Sequence, residues 1–186
     1  MGMALAVHRF TADQFHRMGE AGVFHEGDRV ELIDGQIIEM TPIGPRHAGC
    51  VKELAGLLYR ATGGRVVLSV QDPLVLGTHQ APEPDVAVLE RRPGGYRTRH
   101  PGPDDVLLVI EVADTSVEYD RSTKIPRYAS AGLPEAWLVN LPAEVIEVYR
   151  GPVGGRYTGT NTVSRGATIQ PLELPGVELT VDEILG

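Results

Sequence analysis

The sequence predicts a mixed α/β domain, one β-sheet with helices packed on it, and three observations carry that expectation. The dipeptide Asp34-Gly35 separates two apolar-rich segments, which is a strong hairpin signal. Residues 46 to 61 have apolar side chains at helical spacing. The run from Val106 to Val112 is almost continuously aliphatic, as suits a central strand buried on both faces. At 186 residues the chain can form one domain with a sizeable core.

Taken in order, Thr11-Ala12-Asp13-Gln14 reads as a capping box that opens a short helix ending near Met18. Residues 29–33 and 36–40 form the hairpin, because Gly35 accepts the positive φ of the turn. Residues 41–45 are a Pro/Gly linker. The helix over 46–61 buries Val51, Leu54, Ala55 and Leu58, His47 extends that face at its first turn, and Gly63-Gly64 end it. Strands follow over 65–70, 85–89 and 106–112, the last two joined by a basic loop. A helix runs from about Ser122 or Thr123 to Ala131, starting late because Pro126 is tolerated only in a first turn, and stops at Gly132 and Pro134. Residues 136–140 form a strand, and 144–149 pairs with 156–160 as a hairpin. Thr180-Val181-Asp182-Glu183 is a second capping box. The core order is helix, three strands, helix, strand, flanked by hairpins. Residues 1–186 form a single domain, with an N-terminal helix and hairpin to about 45, the core to about 140, then a C-terminal hairpin and cap.

Composition narrows the function classes. No apolar run approaches the roughly 20 residues of a membrane helix, and the N-terminus lacks a signal-peptide layout. A lone Cys50 cannot form an internal disulfide, so a reducing, cytoplasmic setting is expected. The histidines show no zinc spacing, and there is no Gly-rich phosphate loop or nucleophile elbow. The formal net charge of −8 gives no bulk attraction to nucleic acid, so such contact must come from a local patch or a metal ion. The densest positive stretch, with Arg91, Arg92, Arg97 and Arg99, is a weak candidate, since such runs are ordinarily solvated loops.

Chemistry concentrates around one pair of acids. An antiparallel register that sets Glu90 opposite Val106 also sets Asp85 opposite Glu111, with Cβ atoms about 5 Å apart on one face. Two carboxylates that close repel and desolvate badly unless a cation joins them, and Mg²⁺ or Mn²⁺ suits such an oxygen site. A structural reading remains open: Asp85 caps a loop, and Glu111 pairs with Lys124 or Arg127. Lys124 lies in the helix after Glu111, where the chain turns back across the sheet end. There its ammonium can polarise a phosphate or steer a water.

The strings EPDVAVLE, LLVIEVADTS and DRSTKIPRYASAGLPEAWLVN, preceded by VELIDGQIIEMTPIGPRHAG, resemble the Uma family of bacterial endonucleases. That family lies in the restriction-endonuclease-like PD-(D/E)XK superfamily, and the resemblance runs from about Thr11 to Leu185. It implies a restriction-endonuclease-like core, with Pro84-Asp85 at the first acidic position and Glu111 at the second. The lysine expected two residues after Glu111 is replaced by Ala113, and the resemblance implies that Lys124 substitutes from the helix. It also puts a histidine, His47, near the site, with a loop-bonding role as the alternative. Glu31 and Gln71 lie in matching segments and are candidates for the metal shell or for structure. Asp120 is expected to cap or orient the Lys124 helix.

The expected function is a metal-dependent endonuclease using Mg²⁺ or Mn²⁺ on nucleic acid, DNA first, with Asp85 and Glu111 as metal ligands and Lys124 as the third catalytic group. Two alternatives stand beside it. Ala113 and the acidic charge favour an inactive binding or assembly module of the same fold, and low basicity suits a small phosphate-ester hydrolase. A homodimer is expected, because cutting two antiparallel strands favours two sites about a two-fold axis.

Overall fold

The computed structural model describes residues 6–25 and 27–186. Helix α1 (Ala12–Glu20) opens at Thr11, whose hydroxyl accepts from the Gln14 N–H while the Gln14 side chain accepts from the Thr11 N–H. Strands β1 (Val30–Ile33) and β2 (Gln36–Glu39) form the expected hairpin, and both turn residues have positive φ (52° at Asp34, 74° at Gly35). Gly35 is required here for a second reason. A Cβ at this position would lie 2.6 Å from Arg9 Cβ.

Helix α2 (Pro45–Thr62) starts on Pro45 and ends at Gly63 in the left-handed conformation. Its buried side is Cys50, Val51, Leu54, Leu57, Leu58 and Thr62, while Ala55 is half-buried. The main sheet has the order β3 (Val66–Ser69), β4 (Val86–Glu90), β5 (Val106–Ala113), β6 (Glu135–Asn140), β7 (Val145–Val153), β8 (Arg156–Ser164). All neighbours are antiparallel except β5 and β6, whose parallel pairing requires the helical crossover between them. The C-terminal hairpin β7–β8 is longer than its sequence suggested and extends the central sheet as its last two strands. The pair β9 (Thr168–Ile169) and β10 (Leu179–Thr180), absent from the sequence reading, leads into the capped helix α5 (Val181–Leu185).

Strand alternation divides the core. Val86, Val88, Leu108, Ile110, Val112, Trp137 and Val139 pack with α2 and α5, which makes Trp137 a core residue. Ala87, Leu89, Val109, Ala113, Ala136 and Leu138 pack on the other face, against Ile125, Tyr128 and Leu133 of the crossover.

The crossover starts earlier than expected. Helical turns begin with α3 (Val117–Tyr119), continue through a π turn (Asp120–Lys124), and end in α4 (Ile125–Ser130). Pro126 therefore sits deep in a helical path. The π turn accommodates it: the Ile125 N–H bonds the Asp120 carbonyl five residues back, so the ladder is already widened where proline offers no N–H. The same turn buries Asp120 and Lys124 together.

Candidate active site

Asp85 precedes β4 by one residue and Glu111 lies in β5. Val86 pairs with Ile110, Ala87 with Val109 and Val88 with Leu108, so one further step sets Asp85 opposite Glu111. Nearer the loop a bulge between Val88 and Leu89 shifts the register, and Leu89, not Glu90, pairs with Val106. The assumed loop-end pairing was therefore wrong, while the register at the acidic end has the expected offset. Both acids line one cavity of about 480 Å³ at the sheet rim, together with Glu31, His47, Glu83, Asp120 and Lys124.

Each acid has its own support. Asp85 accepts hydrogen bonds from His47 Nε2 (3.0 Å), Gln71 Nε2 (3.0 Å) and the Val112 N–H (2.9 Å). Burial opposes its charge, but these donors hold Asp85 below the usual aspartate range. Gln71 reaches it from a left-handed backbone, φ 56°, just after β3. Glu111 accepts from the Tyr128 hydroxyl through Oε1, and Lys124 Nζ lies 3.2 Å from the same oxygen. Lys124 Nζ is also 3.1 Å from Glu31 Oε2, which accepts from the Glu83 N–H at 3.3 Å. This ion triad is withdrawn from solvent, with Glu31 1%, Glu111 2% and Lys124 5% exposed; Asp85 is 7% exposed.

The electrostatics follow from that burial. Burial drives the Glu111 carboxyl well above its usual range, and Lys124 works against it. Burial also opposes the charge on Lys124, but Glu111, Glu31, Asp120 and Asp85 outweigh it and hold the ammonium above the ordinary lysine range. Glu83 is pushed up to about 7 by burial and by Glu31. Asp120 is pushed up to about 6 by burial, against the pull of Lys124 and of the Ser116 hydroxyl that bonds it at 2.6 Å.

The sequence-derived candidates thus divide into two groups. Asp85, Glu111, Lys124, His47, Glu31 and Asp120 line the cavity, and Gln71 supports it through Asp85. The anticipated Glu111–Lys124 ion pair is present, whereas Arg127 pairs with Asp34. His47 bonds Asp85 and not the loop before α2. Arg91, Arg92, Arg97 and Arg99 lie beyond the other end of β4 and do not line the cavity. Arg91 donates to the Gly64 carbonyl, and Arg92 and Arg99 pair with Asp105. Sequence reasoning missed Glu83, Tyr119 and Tyr128. One had a signal: Tyr128 is four residues after Lys124 on the same helical side.

The donor set fits a hard divalent cation. Such ions take one or two carboxylates and complete their shell with water and phosphate oxygens. Among the described residues Glu111 Oε2 carries no hydrogen bond, and no three His, Cys, Asp or Glu side chains are grouped to hold a metal unaided. A closed structural zinc site is absent among the described residues, and an ion held by the two acids would need water or phosphate oxygens to complete its shell.

The fold is similar to the crystal structure of a "putative nuclease belonging to DUF820" from Anabaena variabilis ATCC 29413. The TM-score is 0.77, with 16% identity, covering 95% of this chain and 97% of that one. No curated protein matches the sequence. Residues 12–182 match the family model Uma2, described as "Putative restriction endonuclease", and a match over that much of its length means that this chain belongs to the Uma2 family.

Proposed function

We propose that the protein is a metal-dependent endonuclease that hydrolyses phosphodiester bonds in nucleic acid, DNA first. Family membership supports a nuclease. The observation that carries the finer reading is Lys124 Nζ at 3.2 Å from Glu111, beside Asp85, in a chain whose motif lysine is Ala113. Asp85 and Glu111 would hold Mg²⁺ or Mn²⁺, which when bound lowers the pKa of a coordinated water and offsets charge on the phosphate. His47, Gln71 and the Val112 N–H keep Asp85 ionised and fix its orientation. Tyr128 holds Glu111 by its Oε1. Lys124 supplies a fixed positive charge toward the developing phosphorane oxygens, and the buried surroundings strengthen that interaction.

The test is Mn²⁺ titration by calorimetry, together with cleavage of labelled nucleic acid, for the wild type and for Asp85→Asn/Glu111→Gln. Saturable Mn²⁺ binding and cleavage, both lost in the double variant, are expected. Nucleic-acid binding without Mn²⁺ binding or cleavage would leave the inactive-module reading. Cleavage confined to small phosphate esters would leave the ester-hydrolase reading. A two-fold dimer would supply a second site for a second strand, and sedimentation at micromolar concentration decides between it and a monomer.

A further inference from the structure

We infer that the cavity at the acidic pair takes one unpaired nucleotide of a strand, so that the substrate is single-stranded or locally unpaired nucleic acid and not a closed duplex. The inference rests on the nuclease reading and names its substrate class.

Four observations converge. First, the acids are recessed. Asp85, Glu111 and Lys124 are all buried, whereas a duplex presents its phosphates on an outer ridge backed by stacked base pairs. A strand freed from its partner can enter the cavity, and enzymes whose target atom is out of reach in the helix act on unpaired or extruded nucleotides. Second, the size and walls suit a nucleotide. About 480 Å³ lies within the range of small-molecule sites, and one wall is apolar, made by Ile38, Met40, Pro42 and Ile43. An apolar wall offers nothing to a phosphate ridge but covers the face of a base.

Third, hydrogen-bonding capacity is left unused there. Among the described residues five buried side-chain polar atoms have no partner, and three of them belong to residues lining this cavity: Glu31 Oε1, His47 Nδ1 and Tyr119 Oη. Native proteins rarely leave such atoms unpaired; they have almost no accessible surface here, so a sugar or base edge would reach them after a small turn of these side chains. Fourth, cations are too few for a duplex. Besides Lys124, Arg29 is the one Arg or Lys among the described residues that lines the cavity, and the basic loop, where Arg92 and Arg99 pair with Asp105, lies at the far end of β4. A duplex carries the denser charge and leans more on phosphate contacts, whereas an unpaired strand can draw part of its affinity from its bases.

The experiment compares fluorescence anisotropy of a labelled oligonucleotide, as single strand and as closed hairpin duplex of the same sequence, at physiological salt with Ca²⁺. The wild type, Ile43→Asp and Met40→Ala are measured, each shown to be folded by its melting curve. The single strand is expected to bind about tenfold or more tighter than the duplex, and each wall variant to lose several-fold to tenfold of single-strand binding, as for one base contact. Equal or tighter duplex binding, no binding of either form, or wall variants that bind the single strand like wild type would overturn the inference. Cleavage of both forms with Mn²⁺ separates the two claims. Equal cutting of duplex and single strand would overturn the inference and keep the nuclease. Single-strand preference in binding without any cleavage would overturn the nuclease, and with it the claim of a substrate, while keeping the cavity's preference for an unpaired strand.

Discussion

Replacing Lys124 by Met keeps an unbranched side chain of similar length and removes one buried charge. In the structure that charge lies 3.1 Å from Glu31 and 3.2 Å from Glu111, and all three residues are buried. Breaking a buried ion pair by removing one partner costs about 3–5 kcal/mol, because the remaining charge is uncompensated. For a chain of this size each kcal/mol moves the melting temperature by about 2–4 °C, so a fall of roughly 6–20 °C at pH 7 is expected. The pH dependence carries a sign. Without Lys124, burial raises the folded-state pKa of Glu111 further above its unfolded value. The protonated carboxyl then stabilises the fold below the unfolded pKa, and that stability is lost as pH rises through the folded pKa. The deficit of the variant should therefore shrink as pH falls from the folded Glu111 pKa of the variant toward that of the wild type, as read by calorimetry at each pH. The rate per folded molecule should fall by about 10²–10³, as for loss of one preorganised electrostatic partner, while Mn²⁺ still binds. Wild-type melting at pH 7 would refute the buried triad. Wild-type turnover would refute the role proposed for Lys124 and leave the triad a structural device.

Three further outcomes are expected. Gln71→Leu removes the donor to Asp85 Oδ1, so calorimetry should find Mn²⁺ affinity about 10–100-fold weaker and melting lowered by several degrees, since a buried acceptor left unpaired costs about 1–3 kcal/mol. Glu147, held at about 2 by the Arg121 guanidinium together with Tyr149 and Asn140, contributes stability that is complete above the unfolded carboxyl range and lost as pH falls through about 2; Glu147→Gln should lower stability at pH 7 and flatten the acid limb of the melting profile. Replacing Arg91, Arg92, Arg97 and Arg99 with serine should spare cleavage of a short substrate and weaken binding of longer nucleic acid, and equal loss of both would contradict the separation of loop and cavity.

What the sequence disclosed, and what it hid, has a physical pattern. The Asp34-Gly35 hairpin, the long helix α2 and the central strand β5 were legible because each is encoded over a few residues, by a turn conformation, a helical period or an aliphatic run. The helix start at Val117 was not. Pro126 argued for a late start, and only the π turn, which the packing of Asp120 and Lys124 into the cavity accompanies, reconciles proline with an early one. The β9–β10 pair was equally hidden, since two-residue strands carry no period. At the site, strand parity and one register brought Asp85 and Glu111 to the same side, although the bulge at Leu89 broke that register nearer the loop. Glu83 escaped because its importance lies in what it meets across the fold, the Glu31 side chain, whereas Tyr128, which bonds Glu111, was signalled by its spacing from Lys124.

If Lys124 acts in place of a lysine at position 113, as proposed, the packing of Ala113 supplies a physical reason. Ala113 shares a face with Glu111, two residues along β5, and is fully buried among Val109, Ile125, Tyr128 and Leu138. An ammonium there would have to be accommodated in the apolar layer now closed by Ile125, Tyr128 and Leu138, at a desolvation cost. A methyl group lets the crossover helix pack close to the strand. That approach brings the Tyr128 hydroxyl and the Lys124 ammonium, one helical turn apart, onto a single oxygen of Glu111. The N-terminal hairpin completes the arrangement from the other side: Arg127 pairs with Asp34 in the hairpin turn while Lys124 pairs with Glu31 in β1. Helix and hairpin are therefore tied at two points, and the lysine is fixed by both. Restoring Ala113→Lys should not rescue a Lys124→Met variant. The new side chain would have to displace the helix that positions everything else, so the double variant should melt below either single one, and a double variant that regains cleavage would show that the layer over Ala113 is looser than its burial indicates.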